Sequence, residues 1–186
     1  MLKKFKFKLY FRKSSFKKDL NSAKILFREI ENYKPKNFLE VGVFQGVTSR
    51  NVCEKLNIIH KNQFNYYGVD VFEDSNNILD DKEMTSKHNK ISNPLKNLLF
   101  NFIFKQNLNS LSSVKRFLKK FNENVTLFKG LSSEVLPKIS ISEIDFVFLD
   151  GGHSYETVKN DLSLILKNIK KNKIIICDDY DQKDYG

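Results

Sequence analysis

A doubly wound α/β domain built on a parallel sheet is the fold class this sequence predicts, and three observations predict it. From residue 36 onward, short apolar runs alternate with longer amphipathic ones, the signature of βαβ units. The first run ends in a glycine-bearing turn, EVGVFQG. The last two runs end in carboxylates, at the strand ends beyond which open parallel sheets bind their ligands.

The elements follow in order. Residues 20–33 (LNSAKILFREIENY) read as a helix stopped by Pro35, because proline disfavours helical geometry in the residue before it. The strands are FLEVGV (38–43), YYGVDVF (66–72), VTLF (125–128), DFVFLD (145–150) and IIICDD (174–179). Ser154 is placed to cap a helix over 155–170, in which Val158, Leu162, Ile165, Leu166 and Ile169 recur at helical spacing. The turn after it is Lys171-Asn172-Lys173, and asparagine tolerates the left-handed backbone that such a turn needs. Residues 73–124 form a long connection, polar at first and then apolar and basic; it reads either as a substrate-covering lid or as a crossover helix with an insertion.

With 186 residues, 40% of them hydrophobic, the chain suits one domain with a real core. The net charge of +10 is uneven: eight of the 32 basic residues precede the first acid, Asp19, leaving 24 bases against 22 acids. The organisation is therefore a basic arm, residues 1–18, ahead of a nearly neutral domain, 19–186. This argues against a nucleic-acid face spread over the fold, since phosphate recognition needs basic residues on the docking surface. The arm alternates Lys with Phe, Leu or Tyr, so it could meet an anionic membrane or RNA, or simply be a frayed, solubilising terminus. No apolar run approaches a spanning length and no signal-peptide core follows the lysines, so the expected compartment is the cytoplasm. Cys53 and Cys177 lack metal-like spacing and read as small core residues.

The candidate site lies at the strand ends. Gly42 and Gly46 let the backbone approach a ligand, and the following helix offers unpaired N–H groups to a carboxylate; a tight turn also needs glycine with no ligand present. A dinucleotide fingerprint would require glycine at positions occupied by Phe44 and Val47, which disfavours nicotinamide. Asp70 closes the second strand 24 residues after Gly46, where an acid accepts ribose hydroxyls or is simply solvated. Asp150, Asp178 and Asp179 end neighbouring strands about 4.8 Å apart, close enough to converge on one hard cation.

Together these blocks (LEVGVFQGVTS, YYGVDVFED, VTLFKGLSSEVLPKI and FVFLDGGHSYETVKNDL with IIICDDY) resemble the class I S-adenosylmethionine-dependent methyltransferases. Within that class they are most similar to the metal-dependent, macrocin-type O-methyltransferases. The resemblance runs from about Phe38 to Tyr180 and implies a Rossmann-like methyltransferase fold. It implies that Glu40, Gly42, Gly46 and Thr48 hold the methionine part of S-adenosylmethionine, that Asp70 holds its ribose, and that Ser132 lies near its adenine. Asp150, Asp178 and Asp179 look like the family's metal ligands, a carboxylate set suited to Mg2+. His153 stands where catechol-type relatives carry their base; outside that context it would read as a helix-entry residue. The implied reaction is methyl transfer to a small hydroxylated molecule, with Asp150 and His153 at the reacting oxygen.

The chain stops at Gly186, whereas the full fold adds two antiparallel strands beside the fifth. The expectation is thus a domain lacking its C-terminal antiparallel strands, with IIICDDY as an exposed edge. Two rival readings are an inactive S-adenosylmethionine-binding remnant and an RNA-associated methyltransferase that uses the basic arm.

Overall fold

The computed structural model describes residues 6–17, 20–72, 107–152 and 154–178. Five parallel strands form one sheet in the order β3-β2-β1-β4-β5: β1 Asn37–Val41, β2 Asn65–Asp70, β3 Val125–Lys129, β4 Phe146–Leu149 and β5 Ile174–Cys177. The helices are α1 Leu20–Tyr33, α2 Val47–His60, α3 Leu111–Phe117, the single turn α4 Ser132–Val135 and α5 Tyr155–Asn168. This is the expected doubly wound parallel architecture.

Side chains alternate between the two faces of each strand, and the sheet is covered on both. Phe38, Tyr66, Phe146 and Phe148 pack under α1 and α2 against Leu26, Ile30, Val52 and Leu56. On the opposite face Leu39, Val41, Val69, Val147 and Leu149 meet Val135, Leu136, Ile141, Ile144 and Ile165. The β4 side chains are buried throughout, as a strand covered on both faces requires. Ser154 caps α5 as expected, its hydroxyl accepting from the Thr157 N–H at 3.2 Å. Asn172 takes the left-handed backbone, φ 64°.

Residues 107–124 behave as a crossover: Val114 of α3 and Leu118 just after it pack against Val43 and Phe72. The part of the lid reading that falls on 73–106 lies outside the described residues. Two expectations need correction. Cys53 is buried in the core, but Cys177 is exposed, because it ends a strand that borders the described sheet. Nor are residues 6–17 a frayed arm. Phe16 is 2% exposed and packs against Phe148, and Phe7 contacts both Phe16 and Phe27. Within the described part of the Lys/Phe alternation, Phe7 turns inward while Phe11 stays 80% exposed. Among the described residues no helix is long and apolar enough to cross a membrane.

Candidate functional site

The chain runs outward from β1 to β2 and β3 and then returns to β4 on the other side of β1. The carboxyl ends of β1 and β4 therefore flank the switch point at which such sheets bind ligands. Gly42 and Asp150 meet there. A Cβ on Gly42 would lie 1.9 Å from the Asp150 carbonyl oxygen, and Gly42 has a φ of 94°, so the approach requires glycine. The Asp150 N–H donates to the Val41 carbonyl at 2.8 Å, carrying the β1–β4 pairing into the turn.

Beyond Gly42 the turn passes through Phe44, φ 50°, and Gly46, φ 74°. Gly46 is the N-cap of α2, whose first turn receives no side-chain capping bond. Phe44 occupies the position where a dinucleotide fingerprint has glycine, and it adopts a backbone that glycine adopts freely. Asp70 holds it there. Its Oδ2 accepts from the Phe44 N–H at 2.7 Å and its Oδ1 from the Phe72 N–H at 2.6 Å. Withdrawal from water raises the Asp70 carboxyl above the ordinary aspartate range, opposed by amide bonds from Phe44, Phe72 and Val43. Asp70 remains half-buried, and with three amides on its roughly four acceptor sites it keeps room for one further donor.

Glu40 is placed differently from the expectation that it touches the cofactor. It is 0% exposed, because strand alternation turns it, like Phe38, beneath α2. The Tyr66 hydroxyl donates to Glu40 Oε2, while Oε1 meets no hydrogen-bond partner among the described residues. Burial pushes the Glu40 carboxyl up to about 8; the Tyr66 and Ser49 hydroxyls oppose the shift and the Asp70 charge adds to it. In this arrangement Glu40 lies sealed beneath α2. Gly46 and Thr48 are also buried, whereas Gly42, Asp70 and Ser132 keep partial exposure.

On the other side of the switch point, Leu149 pairs with Cys177 and the Asp178 N–H donates to the Leu149 carbonyl at 2.8 Å. Asp150 and Asp178 therefore occupy matching positions one residue past the last pair, in phase with Phe148 and Ile176. Asp150 Oδ2 accepts from the Ser15 hydroxyl at 2.9 Å. His153 and Asp179 lie outside the described residues. Among the described residues no group of three His, Cys, Asp or Glu side chains could hold a metal ion.

Ser132 opens α4 after Gly130 and bonds Asp161 of α5. Asp161 is 3% exposed; burial raises its carboxyl and the Ser132 hydroxyl opposes the shift. Sequence reasoning missed this acid. The signal was present, since position 161 falls on the apolar stripe of α5, three residues after Val158 and four before Ile165. Also missed was Gln45, 1% exposed within the turn, whose side-chain oxygen accepts from the Lys13 N–H at 2.8 Å.

Comparison with solved structures identifies the same architecture. A Podospora anserina methyltransferase with SAH bound shares 16% identity at a TM-score of 0.56, covering 84% of this chain and 51% of its own. An O-methyltransferase from Bacillus cereus in complex with SAH shares 14% identity at 0.56, with coverages of 88% and 58%. A Streptomyces achromogenes O-methyltransferase of tomaymycin synthesis, in complex with SAM, shares 14% identity at 0.55, with coverages of 84% and 54%. The chain thus spans little more than half the length of these structures. No curated protein matches it in sequence. The methyltransferase-domain family, however, matches residues 39–180, from the second residue of the first apolar strand core to just past the paired acids of the last, and the chain belongs to that family.

Proposed function

We propose that this protein is an S-adenosylmethionine-dependent O-methyltransferase that acts on a small hydroxylated molecule with the help of a divalent cation, Mg2+ by the chemistry of its donors. The observation that supports it best is the meeting, at one switch point, of a glycine turn braced by Asp70 and the paired strand ends that carry Asp150 and Asp178. The O-methyltransferase matches with SAH or SAM bound support the cofactor.

In this reading the turn from Gly42 to Thr48 receives the amino-acid end of the cofactor, where the uncapped first turn of α2 complements a carboxylate. Asp70 directs its remaining acceptor site to the ribose, and Ser132, fixed by Asp161, borders the adenine. The hard oxygen donors of Asp150 and Asp178 fit a divalent cation, with Asp179 as the third ligand. When bound, that cation lowers the pKa of the acceptor hydroxyl and directs it. His153 takes the departing proton, and the chain's own part is to align the oxygen with the methyl group, a proximity effect worth roughly 7–11 kcal/mol. Two of the arm's eight basic residues are engaged with the fold, Arg12 with main-chain carbonyls and Lys8 with Glu54 at 3.2 Å, which subtracts from the charge an RNA-binding arm would offer.

Thermal stability measured with S-adenosylmethionine and Mg2+, separately and together, tests the proposal, because a ligand that binds only the native state raises the melting temperature. Asp178→Ala should remove the Mg2+ response and keep most of the cofactor response. If the Mg2+ response survives that substitution, the metal assignment fails. Cofactor binding without methyl transfer to any hydroxylated acceptor would instead favour a binding remnant.

A further inference from the structure

Arg12 reaches from the N-terminal segment into the turn that precedes α2. Its Nη1 donates to the Gln45 carbonyl at 3.0 Å and to the Leu108 carbonyl at 3.3 Å. Its Nη2 donates to the Ser113 carbonyl at 3.4 Å and to the Ser113 hydroxyl at 3.2 Å. The guanidinium also lies 4.2 Å from the centre of the Phe117 ring, whose other neighbours include Arg50 at 5.8 Å. One residue along, the Lys13 N–H grips the Gln45 side chain. Arg12 thereby joins three pieces of chain that are remote in sequence: the arm, the glycine turn and the start of α3.

This set of bonds goes beyond what anchoring an arm requires. Phe16 and Phe7 already tie the segment to the core by apolar burial. A planar guanidinium that spends its donors on backbone carbonyls fixes the backbone itself, which a flexible ammonium does poorly. The carbonyl it fixes belongs to Gln45, between the left-handed Phe44 and the left-handed Gly46, at the point where the chain commits to the direction of α2. On the far side of the same turn, Gly46 abuts α3, since a Cβ there would lie 3.1 Å from Val114 Cγ1. Asp70 fixes the turn from one end and Arg12 from the other.

We propose that Arg12 is a positioning residue for the cofactor: it sets the Gln45–Gly46 peptide, and with it the α2 N–H groups that meet the amino-acid end of S-adenosylmethionine. This rests on the cofactor reading given above. It makes affinity for that end of the ligand depend on a segment that lies outside the sheet and precedes the residues matched by the family.

The test compares two ligands on the full chain by isothermal titration: S-adenosylhomocysteine, which carries the amino-acid end, and 5′-methylthioadenosine, which lacks it. Arg12→Ala should weaken S-adenosylhomocysteine about tenfold or more and leave 5′-methylthioadenosine within about twofold. Arg12→Lys keeps the charge but cannot span the acceptors, so it should show the same selective loss with a melting temperature closer to the parent's; it decides the matter if the alanine variant does not fold. Equal weakening of both ligands, or unchanged S-adenosylhomocysteine affinity in a folded variant, overturns the positioning role alone. Failure of the unsubstituted protein to bind either ligand overturns the cofactor reading as well.

Discussion

Asp70 holds Phe44: the carboxylate at the end of β2 accepts the N–H of a residue that has a left-handed backbone, at 2.7 Å, across the mouth of the sheet. A non-glycine residue in that conformation costs roughly 1–2 kcal/mol, and a hydrogen bond to a charged group, worth about 1.5–3 kcal/mol, offsets it. Asp70→Ala should therefore destabilise the protein by about 3 kcal/mol and release the turn, whereas Asp70→Asn, which keeps an acceptor, should cost less. Denaturant unfolding of the two variants measures the difference; equal, negligible effects would show that the turn holds itself.

The burial of Glu40, only partly opposed by its bond from Tyr66, predicts a pH dependence of stability. The unfolded chain releases the Glu40 proton near pH 4.5, whereas the folded protein keeps it up to about pH 8. Between those values the folded state binds more protons, so stability falls as pH rises through the window. The contribution is fully present below it and lost above. Glu40→Gln removes the titration, and its unfolding free energy should change less between pH 5 and pH 9 than the parent's, by on the order of a few kcal/mol. Parallel pH profiles for the two proteins would refute the buried proton.

Gly42 should be intolerant of any side chain. Its φ of 94° and the 1.9 Å approach of a Cβ to the Asp150 carbonyl combine backbone strain with a collision against main chain. Strain of about 1–2 kcal/mol and overpacking of about 1–3 kcal/mol should together lower the melting temperature of Gly42→Ala by roughly 10 °C. Calorimetry reads this directly, and a shift of only a degree or two would mean that the strand ends separate easily.

Phe16 separates a structural strap from a loose terminus. It is 2% exposed against Phe148, so Phe16→Ala should cost about 3–5 kcal/mol, as large-to-small changes in cores do. A frayed segment would lose nothing. Unfolding of the variant in urea distinguishes the two.

The sequence alone determined the five strands and the helices α1 and α5: α1 falls on Leu20–Tyr33, Ser154 caps α5, and Asn172 makes the left-handed turn, because periodicity, capping and backbone preference act over a few residues. It also placed Asp150 and Asp178 at strand ends, since a strand that stops in an acid declares its own end. Tertiary structure decided what those residues touch. Glu40 has the same local sequence whether it meets a ligand or lies sealed under α2, and only the packing of α2 on β1 buries it. Phe44 was read as a missing glycine, yet a carboxylate 26 residues away sustains the conformation that glycine would have had. The arm was the largest misjudgement: its lysines dominate composition, but its fate was set by the fit of Phe7, Arg12 and Phe16 to surfaces built from residues far along the chain. Contacts of that range are invisible to local pattern, because their free energy exists only once the distant surfaces have been brought together.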